Sequence, residues 1–527
     1  MASRFAAWFS GSSISPPVTS DEAVFDISPE FDQPLFTGKD NFERNCAYIE
    51  HLKGRNSDIL LRRFTLANGK RAAVVSVDGM CRKDILESST ILAARRYSQV
   101  SEENKFSAAD GIAQMLGASE LKTERSLSKA YLTVLSGDAA LIIEDEKECF
   151  IIGVRAVESR SVGDSPNEGS IRGPHEAFTE NIRTNTALLR RRITDPNLTI
   201  ETLSVGLRSH TGVALCYVRG LTNRELVEDV RKRIESVSTD ILGDSGRLEQ
   251  LIEKNALSLF PQSGGTELPD TAAMALMNGQ TVIIVNGSPY ALILPVTVAD
   301  LMSVSEDSYR RWMYSGLIRF LRWVALFIAA VGPAAYVAVI SYHPGMLPTN
   351  LLLLTSLNRV NVPFSAPVEV LFIELTLEIL REASARMPQK IGAALSIAGG
   401  IIIGDATIKA GLVSPLLIII AGVSTLCSFV IPSYSLSSAL RIVKYILIAC
   451  AAFLGIFGLT AGALIILSRF AMLSDYSVPM SYPFSPVNAR TALSGVFRVP
   501  EKLRRLRDGI FRPRDTVMRK KRENEEN

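Results

Sequence analysis

From Trp323 to Asn358 the chain carries no Asp, Glu, Lys or Arg. The first part of that run, "WVALFIAAVGPAAYVAVISY", by itself matches the roughly 20 residues that cross a hydrocarbon core. Ala410 to Leu440 and Tyr445 to Ser468 are likewise free of formal charge, and Ile391 to Gly404 adds a shorter run rich in small residues that suit close helix packing, among them Gly392, Ala393, Ser396, Gly399 and Gly400. The C-terminal half is therefore expected to lie in a bilayer. Whole-chain averages of 47% hydrophobic and 21% charged residues with a net charge of +3 hide this, because they mix two unlike halves.

Between these runs stands "VEVLFIELTLEIL", an apolar segment with three carboxylates. An ionisable side chain at membrane depth is costly and marks a functional site by default. At about 100° per residue, Glu374, Glu378 and Arg381 share one helix face while Glu369 points away from them. Upstream, "TSLNRVNVPFSAP" breaks the helix around Asn361 and Pro363, and broken backbone at that depth survives only inside protein or beside water. Asn361, Pro363, Glu369, Glu374, Glu378 and Arg381 are thus the pore or gate candidates. The plainer alternative pairs Glu378 with Arg381 at the interface and leaves only Glu374 deep.

Five segments can be counted, about 317–341, 362–382, 390–411, 414–432 and 441–470. Arginines at 310, 311, 319 and 322 precede the first, and "EKLRRLRDGIFRPRDTVMRKKR" follows the last. Both flanks are then expected on the cytoplasmic side, which requires an even number of crossings. One element must be re-entrant or the tail's charge misleads; Pro348 to Leu380 is the expected exception.

The N-terminal half reads differently. Residues 1–40 are a Ser, Pro and Asp-rich leader without periodicity, expected to be disordered, and "RFAAWFSG" is too short an apolar core for a secretory signal. From Asn41 strand and amphipathic-helix patterns alternate, an α/β signature. The pattern occurs twice. "AVVSVDGMCRKDIL" from Ala73 aligns with "ALCYVRGLTNREL" from Ala214, pairing Gly79 with Gly220. "YLTVLSGDAALIIEDEKECFII" from Tyr131 aligns with "AMALMNGQTVIIVNGSPYALIL" from Ala273, pairing Gly137 with Gly279 and Ile142 with Ile284. Near-identical offsets are what a duplicated unit leaves.

The expected organisation is leader 1–40, α/β subdomain 1 at 41–157, a linker 158–192 with an Arg-rich helix, α/β subdomain 2 at 193–310, a helical transmembrane domain of four to five spans at 311–475, and a basic tail 476–527. Arg190, Arg191 and Arg192 close the linker helix, where cations suit the dipole; they read as a solvated helix end or as a docking site for acidic groups, and are too few to argue nucleic-acid binding. The six cysteines and four histidines show no paired spacing, so neither a disulfide framework nor a metal site is expected. No phosphate loop, nucleophile elbow, HExxH or dinucleotide fingerprint is present, and no enzyme activity or cofactor is expected. A secondary transporter is the rival membrane reading, although the duplication lies outside the membrane half.

The duplicated region, the linker "IRGPHEAFTENIRTNTALLRRRI", the strand pair "LMNGQTVIIVNGSPYALILPVT" leading to "SEDSYRRW", and the membrane motifs "NVPFSAPVEVLFIELTLEILREA" and "AGLVSP" together resemble the GerA family, over about Asn41 to Leu473. These are A-type subunits of nutrient germinant receptors in endospore-forming bacteria. The resemblance implies a subunit of the inner spore membrane, its N-terminal domain on the spore-core side, that helps convert nutrient detection into ion release. It implies a transporter-like B-type partner associated with nutrient binding, a C-type lipoprotein partner, and self-assembly around a cation-conducting pore. A spore-stage A-like relative that amplifies ion and dipicolinate release, and a non-conducting relay subunit, are the alternatives.

Overall fold

The computed structural model describes residues 33–37, 40–66, 69–86, 121–156, 172–386, 406–485, 495–500 and 507–518, with isolated positions at 165, 168, 169, 404 and 502. Nearly all of the leader, much of the linker loop, the small-residue run around Gly392 to Gly400 and part of the basic tail lie outside them. The chain divides into two compact units. One holds residues 1–256, 263–295 and 502–527, and the other holds 257–262 and 296–501.

The first unit contains two five-stranded sheets. After helix α1 (Asn41–Lys53), strands β1 (Ile59–Thr65), β2 (Arg71–Val77), β3 (Leu121–Glu124), β4 (Ala139–Ile143) and β5 (Cys149–Ile152) form a sheet in the order β1-β2-β4-β5-β3, with helix α2 (Leu127–Leu135) between β3 and β4. Helix α3 (Ile182–Arg192) opens the second copy. Strands β6 (Leu198–Val205), β7 (Thr211–Val218), β8 (Gly264–Thr266), β9 (Thr281–Val285) and β10 (Ala291–Leu294) repeat that order as β6-β7-β9-β10-β8, with α4 (Arg224–Ser236), α5 (Ser245–Ile252) and α6 (Pro269–Met277) in the connections. All pairings are antiparallel. The register repeats too: Ala73 faces Ile142 in the first sheet, and Ala214 faces Ile284 in the second. Each of the four glycines paired by the sequence repeat has positive φ: Gly79 at 81°, Gly220 at 74°, Gly137 at 103° and Gly279 at 92°. A side chain at any of them would strain the turn.

The period-two pattern of "RAAVVSV" explains how β2 sits inside its sheet, between β1 and β4. Ala73, Val75 and Val77 join Phe42, Ile49, Leu127 and Tyr131 in one core cluster, whereas Ala72 and Val74 join Phe64, Leu141 and Phe150 in another. Burial on both faces accounts for a strand with no exposed residue.

The second unit is helical. Helices α7 (Trp312–Tyr342) and α11 (Tyr434–Met472) are long and apolar enough to cross a membrane, and α8 (Thr349–Arg359), α9 (Ala366–Arg386) and α10 (Pro415–Phe429) lie between them in sequence. Helix α10 begins sharply because Ser414 caps Leu417 N and Pro415 supplies the preset φ of a first helical position. Helix α11 is broken at Gly455 (φ 61°, ψ −137°). Beyond the break the chain returns along itself. A Cβ on Gly458 would overlap the Cys450 carbonyl, and one on Gly462 would meet the Cys450 sulfur at 2.9 Å. The Tyr342 hydroxyl donates to the carbonyls of Ala452 (2.6 Å) and Phe453 (3.2 Å), which the break deprives of helical partners. The expected single span 441–470 is therefore a helical hairpin.

Candidate functional site

Apolar helices can bury a carboxylate only with a paired charge, and the helical unit places cations opposite all three candidate glutamates. Glu369, on the first turn of α9, is fully buried. Its Oε2 lies 3.1 Å from Arg359 at the end of α8, and its Oε1 accepts from Ser414 N. Arg359 also donates to the Tyr336 hydroxyl (3.1 Å), which is bonded to Ser414 Oγ at 2.8 Å. Residues from α7, α8, α9 and the cap of α10 thus meet at one polar centre.

About one and a half turns further along α9, Glu374 is 1% exposed and Lys444 of α11 is 4% exposed; Lys444 Nζ reaches Glu374 Oε2 at 2.5 Å. The Tyr445 hydroxyl donates to the Glu374 carbonyl at 3.3 Å. The other carboxylate oxygen, Glu374 Oε1, is buried without a hydrogen-bond partner among the described residues. One turn on, Glu378 pairs with both Arg441 (2.5 Å) and Arg381 (3.1 Å), and Arg381 continues to Ser428 Oγ at 3.1 Å. Along α9 the pairs form a ladder of three carboxylates against Arg359, Lys444, Arg441 and Arg381.

The structure changes the sequence reading in several places. Glu378 and Arg381 do pair, but Glu369 is as buried as Glu374, because Arg359 follows it inward from the broken segment. Asn361 and Pro363 lie on the exposed side of that break, outside the ladder, with the Asn361 carbonyl against Gly411. Lys444 and Arg441 escape the sequence reading. Their signal is present: two cations three apart, between the uncharged runs ending at Leu440 and starting at Tyr445, close to the spacing of Glu374 and Glu378.

Arg190 is also corrected as a docking candidate. It is fully buried, donates twice to Asp58 (both 3.0 Å), and reaches Asn56 Oδ1 and the Leu198 carbonyl at 3.1 Å each. Asn56 Oδ1 also accepts from Ile200 N at 2.9 Å. The guanidinium therefore latches the start of β1 to the start of β6 and is closed to a partner. Arg191 and Arg192 remain nearer the surface and share Glu176, at 3.3 and 3.0 Å. A cleft of about 580 Å³ between the first subdomain and α3 is lined by Asp78, Arg82, Lys83, Asp84, Arg155 and Arg183. Its charges satisfy one another, Asp78 with Lys83 (2.7 Å) and Arg183 (3.3 Å), and Arg82 with Asp84 (3.0 Å), so they name no ligand.

A duplicated antiparallel α/β region carried in one chain with apolar helices that bury an ion-pair ladder defines a two-part protein with a membrane-type helical unit. The chain belongs to the GerA family, whose model, described as Bacillus/Clostridium GerA spore germination protein, matches residues 47–510. It is similar to the uncharacterized membrane protein YfkQ of Bacillus subtilis (strain 168), 32% identical over 88% of this chain and 90% of that one. It is also similar to spore germination proteins KA and A1 of the same organism. Each is 32% identical, over 87% and 80% of this chain and 84% and 90% of theirs. The crystal structure of the N-terminal domain of the A subunit of the Bacillus megaterium spore germinant receptor GerK3 aligns at 28% identity and a TM-score of 0.39, covering 50% of this chain and 96% of that one.

Proposed function

We propose that this chain is the A-type subunit of a spore germinant receptor in the inner spore membrane, working with a B-type and a C-type subunit, and that copies of it form a gated cation path. The observation that carries the reading is the ladder along α9. Three carboxylates, Glu369 and Glu374 buried and Glu378 one-third exposed, face four cations, and one oxygen each of Glu369 and Glu374 takes no hydrogen bond among the described residues. An under-satisfied buried pair is a place where two packings can lie close in energy. In the closed packing the glutamates are neutralised and present no field to a cation. Nutrient detection by the partner would shift the chain to a packing in which α9 and α11 part, freeing the carboxylates to face water and favour cations.

Among the described residues, the helix directions support four crossings with both flanks on one side. Helix α7 crosses, and α8 and α9 return jointly through the break at 360–365. The two arms of α11 then cross and return, since Tyr342 and Phe453 mark one end and Arg441 pairs low on α9. Helix α10 is the half-depth element. It starts beside Glu369, ends where Ser428 meets Arg381, and at 15 residues is about 22 Å long, short of a core of about 30 Å. This replaces Pro348 to Leu380 as the re-entrant candidate.

A relay subunit that conducts nothing is the second reading, favoured by the cation that stands opposite each glutamate. Potassium efflux from liposomes holding the purified chain, with and without its B-type partner, separates the two. Efflux from chain-containing liposomes supports the channel; none in either preparation supports the relay.

A further inference from the structure

The two α/β subdomains share a turn but close it with different pieces of chain. In the first, the Met80 carbonyl, one residue past Gly79, accepts from Ala156 N at 2.8 Å, and Gly137 packs within 3.5 Å of Arg155 Cγ, measured from where its Cβ would stand. Arg155 and Ala156 follow directly from β5. In the second, the residue one past Gly220 is Leu221, and its carbonyl accepts from Arg514 N at 2.9 Å. Gly279, the partner of Gly137, would bring a Cβ within 3.2 Å of Pro513 Cβ. A segment more than 200 residues downstream in sequence thus does for the second subdomain what the strand's own continuation does for the first.

The segment is built to sit there. Arg507 Nε donates to the Met277 carbonyl (2.9 Å), while its Nη1 holds Asp515 Oδ2 (2.8 Å) and the Val517 carbonyl (2.7 Å), folding the segment back on itself. Arg507 N donates to the Thr516 carbonyl at 2.9 Å. Phe511 and Pro513 are buried. The core of the segment, from Phe511 onward, lies past the residues matched by the family model.

We propose that residues 507–517 are a detachable strap, and that the turn pair Leu221 and Gly279 is its docking surface. Among the described residues its hold includes one backbone bond, one arginine and two buried side chains, against a covalent continuation at the equivalent place in subdomain 1. The chain leaves the helical unit at Glu501, and the six Cα steps from Glu501 to Arg507 reach at most about 22 Å when extended. A rearrangement that draws Glu501 away beyond that reach must unseat the strap. The strap therefore links the exit of the helical unit to the second subdomain through a contact that can open.

Hydrogen exchange on the purified full-length chain in detergent tests this. A chain ending at Leu506, and the full-length chain carrying Arg507→Ala with Pro513→Gly, should both exchange at least tenfold faster at 218–224 and 276–281. The equivalent amides at 78–82 and 136–139 should be unchanged. If the truncated chain exchanges faster everywhere, the double substitution decides. Unchanged exchange at 218–224 in the double variant overturns the proposal. Mixing unlabelled full-length chain with truncated chain supplies the last arm: protection regained at 218–224 of the truncated copies overturns a strap acting within its own chain.

Discussion

Lys444→Met is expected to be among the most damaging single changes in the helical unit, and Glu374→Gln with Lys444→Met among the more benign double ones. Lys444 Nζ and Glu374 Oε2 are 2.5 Å apart, at 4% and 1% exposure, so neither charge can turn to water when its partner is lost. Removing one member of a buried pair costs about 3–5 kcal/mol, whereas replacing both by neutral groups of similar size is often close to neutral. Lys444→Met strands the carboxylate, and Glu374→Gln strands the ammonium. The double variant strands neither, so the coupling in the cycle should exceed about 2 kcal/mol. The assay is loss of helical circular dichroism against denaturant for the four purified chains in one detergent. Single effects that sum to the double within about 0.5 kcal/mol would show that the two charges do not sense each other, and the ladder would lose its physical basis.

Arg190→Met should destabilise the α/β region sharply, by about 3–5 kcal/mol, because it leaves Asp58 buried and unpaired; Arg191→Met, at a half-exposed site, should cost under about 1 kcal/mol, and denaturation of both variants checks the contrast. Gly455→Val should abolish monodisperse elution on size exclusion, since its φ is 61° and a Cβ there would stand 2.9 Å from Tyr342 Cβ. Burial raises the Glu168 carboxyl from 4.5 to about 7, the nearby Glu267 and Asp270 adding to the rise against hydrogen bonds from Glu267 N and Thr266. A carboxyl raised in the folded state stabilises it below its unfolded value and loses that stabilisation as pH climbs through the folded one, so hydrogen exchange around 264–268, corrected for its intrinsic pH dependence, should quicken between about pH 4.5 and 7. Glu168→Gln should flatten that profile.

The repeat was legible because it rests on local chemistry. Glycines in tight turns and two-residue alternation in strands leave a mark at fixed spacing, and Gly79, Gly137, Gly220 and Gly279 occupy matching turns in the two sheets. The antiparallel order was not legible, since alternating strand and helix patterns carry no strand direction. In the helical unit, apolar run length pointed to α7 and α11, but one glycine turned an expected long span into a hairpin, and Gly455 looks like any other small residue until Tyr342 is seen against it. The glutamates were legible as anomalies in an apolar run. Their partners were not, because Arg359 and Lys444 lie 10 and 70 residues away and convergence in space leaves no local pattern. Arg190 misled for the opposite reason: three consecutive arginines read as one surface feature, while helical geometry sends the first of them inward.

If the ladder holds the closed state, loosening it should be read out as basal potassium leak. The chain and its B-type partner would be reconstituted in liposomes, and leak without nutrient compared between the unaltered chain and Glu374→Gln. Loosening the pair by even about 1.4 kcal/mol shifts the two packings tenfold, so leak should rise several-fold before any nutrient is added. A basal leak that is unchanged or lower would contradict a closed-state latch at Glu374.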